Sequence, residues 1–315
     1  MPAHRVEVLA IGHSAYDYSV FVDGFPRENS KLEIRTMAEG GGGPAANAAY
    51  LLSRWGVDCS FAGLLGDDFY GERIRREFES VGTDLALAET CSEYATPLSI
   101  ILVNTRNGSR TIVNRKAGSN ALRLNPSQLT DLSPEVLLFD GHELEASLIA
   151  LESFPDAVSI LDAGSLRSGI RELAGKVSDL VASERFALQA SGLPDLASEN
   201  NQQECLRRLQ AMARPRASVV VTLGERGLIY DAEGTCRRLP AYPAKAVDTT
   251  GAGDVFHGAF AYGMLRKVPL DETLKLASMA AALSVRERGG RQSIPSLDAV
   301  RKALDDARSG RVPNS

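Results

Sequence analysis

The chain has 315 residues, 44% of them hydrophobic and 24% charged, an ordinary globular composition whose length suits one large α/β domain over 1–315 or a domain plus a small appendage. A net charge of −5 with no Lys/Arg block argues against a nucleic-acid partner, and no apolar stretch is long enough to cross a bilayer. The four cysteines, Cys59, Cys91, Cys205 and Cys236, form no CxxC pair and no Cys/His cluster, and MPAHRVEVLAIG has no signal-peptide pattern, so reduced thiols in a cytoplasmic protein are expected.

Val6 to Ile11 is a short β-branched apolar run closed by Gly12 and reads as a buried strand. DYSVFVDGFPRENSKLEIRTMAEGGG then alternates polar and apolar residues about Pro26 and Asn29, an antiparallel pattern. Helical spacing runs from Pro44, suited to a first turn, to Trp55, with Gly56 as the stop. CSFAGLLG reads as one strand and YGERIRREFESVG as an amphipathic helix ended by Gly82. ATPLSIILVNTRNGSRTIVNRKAG alternates again, and its Asn107-Gly108 marks a hairpin. Apolar runs recur at EVLLFDG, AVSILDAG, ASVVVTLG and GLIYD, with helical patterns between several of them. That alternation predicts a mostly parallel sheet covered on both faces. The two antiparallel pieces, 15–40 and 94–118, predict a small lid sheet that covers a cleft or pairs with a second subunit, and the tail beyond Asp306 is expected to fray.

The segment VDTTGAGDVFHGAF sets Gly251, Ala252 and Gly253 directly before Asp254 and an apolar helical run. A helix start presents unpaired N–H groups and about half a positive charge, and small residues let an anion approach it. Phosphoryl transfer needs such a cradle and a base to take the acceptor's proton. Two readings stand at this point, a turn with an acid complementing the helix dipole, or an anion hole with Asp254 as the base. EGGGGPAANAAY is a second glycine cluster; it is a hinge or packing site, or it lays backbone against a ligand with Asn47 projecting from the first turn. Asp17 follows the first strand's end, where open α/β sheets bind ligands.

DTTGAGDVFHGAF resembles the C-terminal signature of the ribokinase-like (PfkB) sugar kinases, and GGGGPAANAA stands where that family has its N-terminal glycine motif. VVVTLGERGLIY resembles the family's nucleotide-site strand and turn, and RERGGRQSIPSLDAV its closing segment; in family order these span Gly12 to Ser293. The resemblance implies an α/β three-layer sandwich with a mostly parallel central sheet and a small β lid, and an ATP-dependent carbohydrate kinase that uses Mg2+. It implies that Asp254 is the base, that Gly251, Ala252 and Gly253 form the anion hole, and that Asp17, Gly42, Gly43 and Asn47 hydrogen-bond sugar hydroxyls. Thr222, Gly224 and Gly227, with Thr249, Gly251 and Gly253, correspond to the ATP site. Asp248, Thr250, Gly290 and Ser293 correspond to a monovalent-cation (K+) site, the plain alternative being a capped turn and a loop; Arg291 reads as a solvated arginine or as one that reaches a phosphate or a salt-bridge partner.

The family's Asn-x-x-Glu motif, whose Glu helps organise magnesium, is replaced by SERFALQ, with Ser183 and Phe186 at its two positions and Glu184 on the other face of an extended segment. Magnesium is then expected on the ATP phosphates, waters and Glu184. The GGGPAA motif and the GGRxxIP ending resemble the sulfofructose kinase branch, which phosphorylates 6-deoxy-6-sulfofructose. Its sulfonate would need lid cations or amides, and Lys31 and Asn114 are the candidates among Lys31, Arg35, Asn114, Arg115 and Lys116, with a solvated basic lid as the alternative. Where that branch has an arginine after VLLFD, this chain has His142. Fructokinase, ribokinase, sugar-phosphate kinase, nucleoside kinase and a catalytically weak sugar or nucleotide sensor stay open, and a homodimer through the lid is expected.

Overall fold

The computed structural model describes residues 5–310 except 117 and 119. The chain opens with β1 (Val8–Ile11), β2 (Ala15–Val22) and β3 (Met37–Gly42), followed by α1 (Pro44–Arg54). Next come β4 (Cys59–Ala62), β5 (Leu64–Gly66), α2 (Phe69–Ser80), β6 (Glu89–Cys91), β7 (Leu98–Asn104) and β8 (Arg110–Arg115). A βα series follows: β9 (Val136–Phe139), α3 (Leu144–Ser153), β10 (Val158–Ala163), α4 (Ser168–Ala174), β11 (Asp179–Ser183), α5 (Glu184–Ser191) and α6 (Glu199–Met212). The chain ends with β12 (Ser218–Thr222), β13 (Leu228–Ala232), β14 (Thr235–Leu239), α7 (Ala252–Leu265), α8 (Leu270–Ser284) and α9 (Leu297–Arg308).

The large sheet has the order β14-β13-β12-β11-β10-β9-β1-β4, parallel from β4 to β12 and antiparallel at β13 and β14. All four residues of β1 are buried because both faces are covered: Val8 and Ala10 belong to the apolar cluster that includes residues of α1, α7, α8 and α9, and Leu9 and Ile11 to the one that includes residues of α3 to α6. Helix α7 lies inside this sandwich with residues from Val255 to Leu265 buried nearly all round, which is why its sequence carries no polar stripe.

The small sheet has the order β3-β2-β7-β8: two antiparallel hairpins joined by parallel pairing of β2 with β7. The antiparallel piece expected over 15–40 is strand only in part. Residues 27–35 are exposed, 27–36 lie outside any strand, and β3 runs through Gly40, Gly41 and Gly42 instead. Glycine lets this strand approach its neighbours, since a Cβ at Gly42 would stand 2.0 Å from Asp17 Oδ2. CSFAGLLG likewise splits into β4 and β5 at Gly63, where a Cβ would lie 2.4 Å from the Gly12 carbonyl oxygen, and β5 leaves the large sheet to pair with β6. The Asp68 side chain ties the lid to the core: it caps α2 through the Tyr70 and Gly71 amides and also accepts from the amide and hydroxyl of Thr96, just before β7. Helix α9 continues past Asp306 to Arg308; residues 311–315 lie outside the described residues. The four cysteines are unbonded, and among the described residues no helix is long and apolar enough to cross a membrane.

Candidate active site

The chain passes from β1 to β4 on one side and to β9 on the other, so a crevice opens beyond the C-terminal ends of β1 and β9, the place where open α/β sheets bind ligands. A cleft of about 490 Å³ occupies it, bounded by the starts of α1 and α7 and roofed by the lid. Arg110 Nη1 donates to Thr249 Oγ1 at 2.7 Å, that hydroxyl donates to the Gly108 carbonyl at 3.0 Å, and Gln292 Nε2 donates to the Glu39 carbonyl at 2.6 Å. Both lid hairpins are thereby fastened to the loops around the start of α7.

Gly251 takes φ 74° and ψ 0° at the N-cap of α7, a left-handed conformation that favours glycine. No side chain caps this helix; the Ala252 amide makes a long 3.4 Å bond to the Thr249 carbonyl, and the start of the helix is otherwise open to a ligand or water. Asp254, in the first turn, lines the cleft, and its Oδ2 accepts a 2.7 Å hydrogen bond from Asn47 Nδ2. Burial, reinforced by the Asp162 carboxylate, pushes the Asp254 carboxyl up to about 7; Asn47, His257 and Arg110 pull the other way. His257 is buried below, with Nδ1 2.7 Å from the Gly253 carbonyl and 3.2 Å from Asp162. A carboxyl that titrates near neutrality at the floor of a cleft, beside an open helix start, is equipped to accept a proton.

The remaining walls come from both layers. Asp17 on β2 faces Ser99 across the strand pair and bonds to it, and burial raises its pKa. Asn114, opposite Ser99 on β8, shares that cleft face. Asp140, at the end of β9, is fully buried and accepts from the amides of His13, Ala45 and His142 at 2.8, 3.1 and 3.0 Å, and its Oδ1 lies 3.1 Å from His142 Nδ1. Burial works to raise its pKa, but His142 and His13 hold the carboxyl well below the usual range. His13 stacks on His142 with ring centroids 4.5 Å apart, and burial and His142 lower the His13 pKa to about 4. Arg167, just before α4, brings Nη2 within 3.5 Å of His142 Nδ1. Arg115, Lys116 and Arg167 all line the cleft, and among the described residues none of the three is ion-paired.

The profile of the pfkB family carbohydrate kinases matches residues 6–297. The chain belongs to that family. The kinase is 26% identical over 309 residues to the ribokinase of Lactococcus lactis subsp. lactis, covering 95% of this chain and 97% of that one. It is also 26% identical over 317 residues to the deoxyribokinase of Salmonella typhimurium, covering 95% and 99%. The structure of Arabidopsis thaliana ribokinase complexed with ribose and ATP has the same fold, with TM-score 0.80 and 22% identity over 95% of this chain and 99% of that one.

Of the residues singled out by sequence, the kinase brings Asp17, Gly43, Asn47, Asn114, Thr250, Gly251 and Asp254 to one cleft. Gly42 packs on Asp17, and Ala252 and Gly253 form the first turn of α7. Lys31 is not brought there: it lies in the exposed segment between β2 and β3, because β3 starts only at Met37. Glu184 is not on an extended segment either; it opens α5, which Ser183 caps at Phe186 N, and pairs with Arg226, while Phe186 is fully buried. Thr222, Gly224 and Gly227 lie at the turn from β12 to β13, away from the cleft lining, and Gly227 packs so closely that a Cβ would meet the Leu239 carbonyl at 2.1 Å. Asp248 is buried and closes its loop through the amides of Thr250 (2.8 Å) and Gly289 (2.9 Å); Ser293 Oγ donates to the Gly290 carbonyl. Arg291 is not solvated but 3% exposed and paired with Glu77.

Sequence reasoning passed over His13, Arg110, Glu143 and Arg167. His13 and Arg167 had a legible signal, since each follows a strand that ends at the crevice; nothing local marks Arg110, whose role depends on the lid docking on Thr249.

Proposed function

We propose that this kinase transfers the γ-phosphoryl group of ATP to a hydroxyl of a ketose-type sugar whose far end is anionic, 6-deoxy-6-sulfofructose being one such acceptor. One observation carries the reading: the Asp254 carboxyl sits at an open helix start in the same cleft as Arg115, Lys116 and Arg167, none of which is ion-paired among the described residues. Arg167 supplies from another loop the guanidinium that position 142 lacks. Asp17, Asn47 and the backbone at Gly42 and Gly43 orient the sugar, Asp254 takes the proton of the attacking hydroxyl, and the amides of Gly251 to Gly253 receive the charge carried by the transferred group. With the lid docked, water is kept from the reacting groups.

ATP is the donor captured in the Arabidopsis ribokinase structure, and in this chain the turn at Thr222, Gly224 and Gly227 is the proposed nucleotide site, Thr249 joining it from the loop before α7. Magnesium fits as a companion of the triphosphate: among the described residues no three His, Cys, Asp or Glu side chains are grouped to hold a metal ion. For a K+ ion, the fit rests on the buried Thr250 hydroxyl, which has no hydrogen-bond partner, beside the Asp248 carboxylate; both are hard oxygen donors. Gly290 and Ser293 would complete that site. The ion would stiffen the loop leading to Gly251. Unpaired thiols are in keeping with action in the cytoplasm.

The ribokinase names among the relatives favour a second reading, a neutral pentose as acceptor. ADP release across a panel of sulfofructose, fructose 6-phosphate, fructose, ribose and adenosine separates the two. We expect the highest kcat/KM on an anionic ketose, and Arg167→Met to raise KM for that acceptor about 10- to 100-fold, as for loss of a charged hydrogen bond, with little change for neutral sugars. Ribose as the best substrate would establish the second reading, and sugar binding without ADP release would make the protein a sensor.

A homodimer through the lid is proposed on the strand register. Met37, Ile100 and Val113 lie on the lid face opposite Asp17 and are 51, 43 and 59% exposed. Covering that apolar strip against a second copy is favourable. Light scattering should give twice the monomer mass, and Val113→Lys should give the monomer; a monomeric wild type refutes the pairing.

A further inference from the structure

A chain of largely buried polar contacts lies behind the base. Asn47 uses both ends of its amide: Nδ2 donates to Asp254 Oδ2 at 2.7 Å, and Oδ1 accepts from Arg291 Nε at 3.1 Å. Arg291 Nη1 donates to Glu77 Oε2 at 2.9 Å, and both Glu77 oxygens accept from the Gly41 amide, at 3.1 and 2.9 Å. The guanidinium lies 4.4 Å from the Phe78 ring centroid and 5.2 Å from that of Tyr50, and its Nη2 has no partner. A Cβ at Gly41 would stand 2.3 Å from Nη1, so the glycine of β3 is what leaves room for it.

We infer that Arg291, braced by Glu77, is a positioning residue for the phosphoryl-transfer base: it fixes the Asn47 amide in the orientation that donates to Asp254. The inference rests on the reading of Asp254 as the base. Its physical ground is that a guanidinium has only donors. Facing Arg291, Asn47 can present only its carbonyl oxygen, and its NH2 must then point at the carboxylate. An ionised Asp254 favours the same orientation by itself. Once it has taken the acceptor's proton it is a neutral acid, able to donate as well as accept, and its hold on the amide weakens. Arg291 does not change state in that step, so the amide keeps its orientation through the cycle and again stabilises the carboxylate when the proton leaves. A buried guanidinium with one idle nitrogen is a costly way to fill space between two aromatic rings, which argues against packing as its only role.

The groups facing Asp254 are Asn47 from α1, Asp162 from β10, His257 from α7 and Arg110 from β8. Those facing Arg291 are Glu77 from α2, Tyr50 from α1 and Asp17 from β2. The Asn47 bond favours the ionised carboxylate, so weakening it raises the proton affinity of Asp254, and a base that acts ionised then needs a higher pH.

The experiment compares kcat/KM against pH for wild type, Arg291→Lys and Glu77→Gln, with thermal melting as the measure of folding. A lysine keeps the charge near Glu77 but cannot bond Glu77 and Asn47 together as the fork does. Expected for Arg291→Lys is an acidic limb displaced upward by on the order of one pH unit, with activity down about 10-fold below the limb and nearly recovered above it. Glu77→Gln should move the limb the same way by less, and it decides the matter if Arg291→Lys does not fold. A folded variant whose loss is the same at every pH, or whose limb does not move, overturns the inference. Asp254→Asn separates the two levels. If it stays active, the base assignment itself fails; if it is inactive while the limbs of both variants coincide with wild type, only the positioning role of Arg291 fails.

Discussion

Replacing Asp254 by asparagine lowers kcat by about 10²- to 10⁴-fold, the range over which a positioned general base contributes, while the Km for ATP changes little. The amide keeps the shape of the carboxyl and its neighbour Asn47 but cannot take a proton. In the wild type, kcat/KM is expected to rise with pH through about 7, the region into which burial and Asp162 push this carboxyl. The same substitution stabilises the fold. The folded-state pKa lies above the value of 3.8 ordinary for an aspartate, so the ionised group weakens the folded state above pH 4, increasingly up to about 7 and constantly beyond. Asp254→Asn removes that cost, and its melting point should exceed wild type at pH 8 and converge with it toward pH 4. The full shift sets an upper bound at roughly 1.4 kcal/mol per unit; the partial exposure of Asp254 to the cleft makes the gain smaller. Normal turnover in the variant, or a lower melting point at pH 8, is the contrary result.

Gly251→Val is the second large effect, a loss of about 10²- to 10³-fold in kcat, the scale seen when one preorganised anion-hole donor is removed. A β-branched residue does not tolerate φ 74°, so the turn must rearrange and the first amides of α7 are re-aimed. The matched control is Gly56→Val at the end of α1, where φ is 79° and nothing lies within 4 Å of an added Cβ. Both variants should lose about 1–2 kcal/mol of stability from backbone strain alone. Only Gly251→Val should lose turnover; equal kcat in the two would remove the anion hole from the mechanism.

What could be read locally was read well. The strand and helix alternation identifies the layered α/β fold because covered parallel strands are apolar on both faces, as in β1 and β9. Asn107-Gly108 marks the hairpin of β7 and β8 because a tight turn needs positive φ, and Gly108 has φ 71°. The alternation after Asn29 did not become strand at once, for the converse reason. Alternation in a segment of fourteen or so residues shows only that a strand is possible, and here the glycines won, since only they fit between Asp17 and Arg291.

The cleft divides along the same line. The small residues and the acid at 251–254 lie within one helical turn, so their chemistry was in the sequence itself: sterics at Gly251 and the unpaired amides of a helix start depend on neighbours a few positions away. The groups that tune and surround that turn could come only from the tertiary structure. Asn47 meets Asp254 across 207 positions and Arg291 across 244, and Asp140 reaches His13 across 127. Lys31, close in sequence to the glycine motif, ended in an exposed segment, while Arg167 reached the cleft from the loop between β10 and α4. Backbone conformation is decided by adjacent residues, whereas a charge acts on whatever the fold sets within a few ångströms of it, and that distance is written nowhere in the chain order.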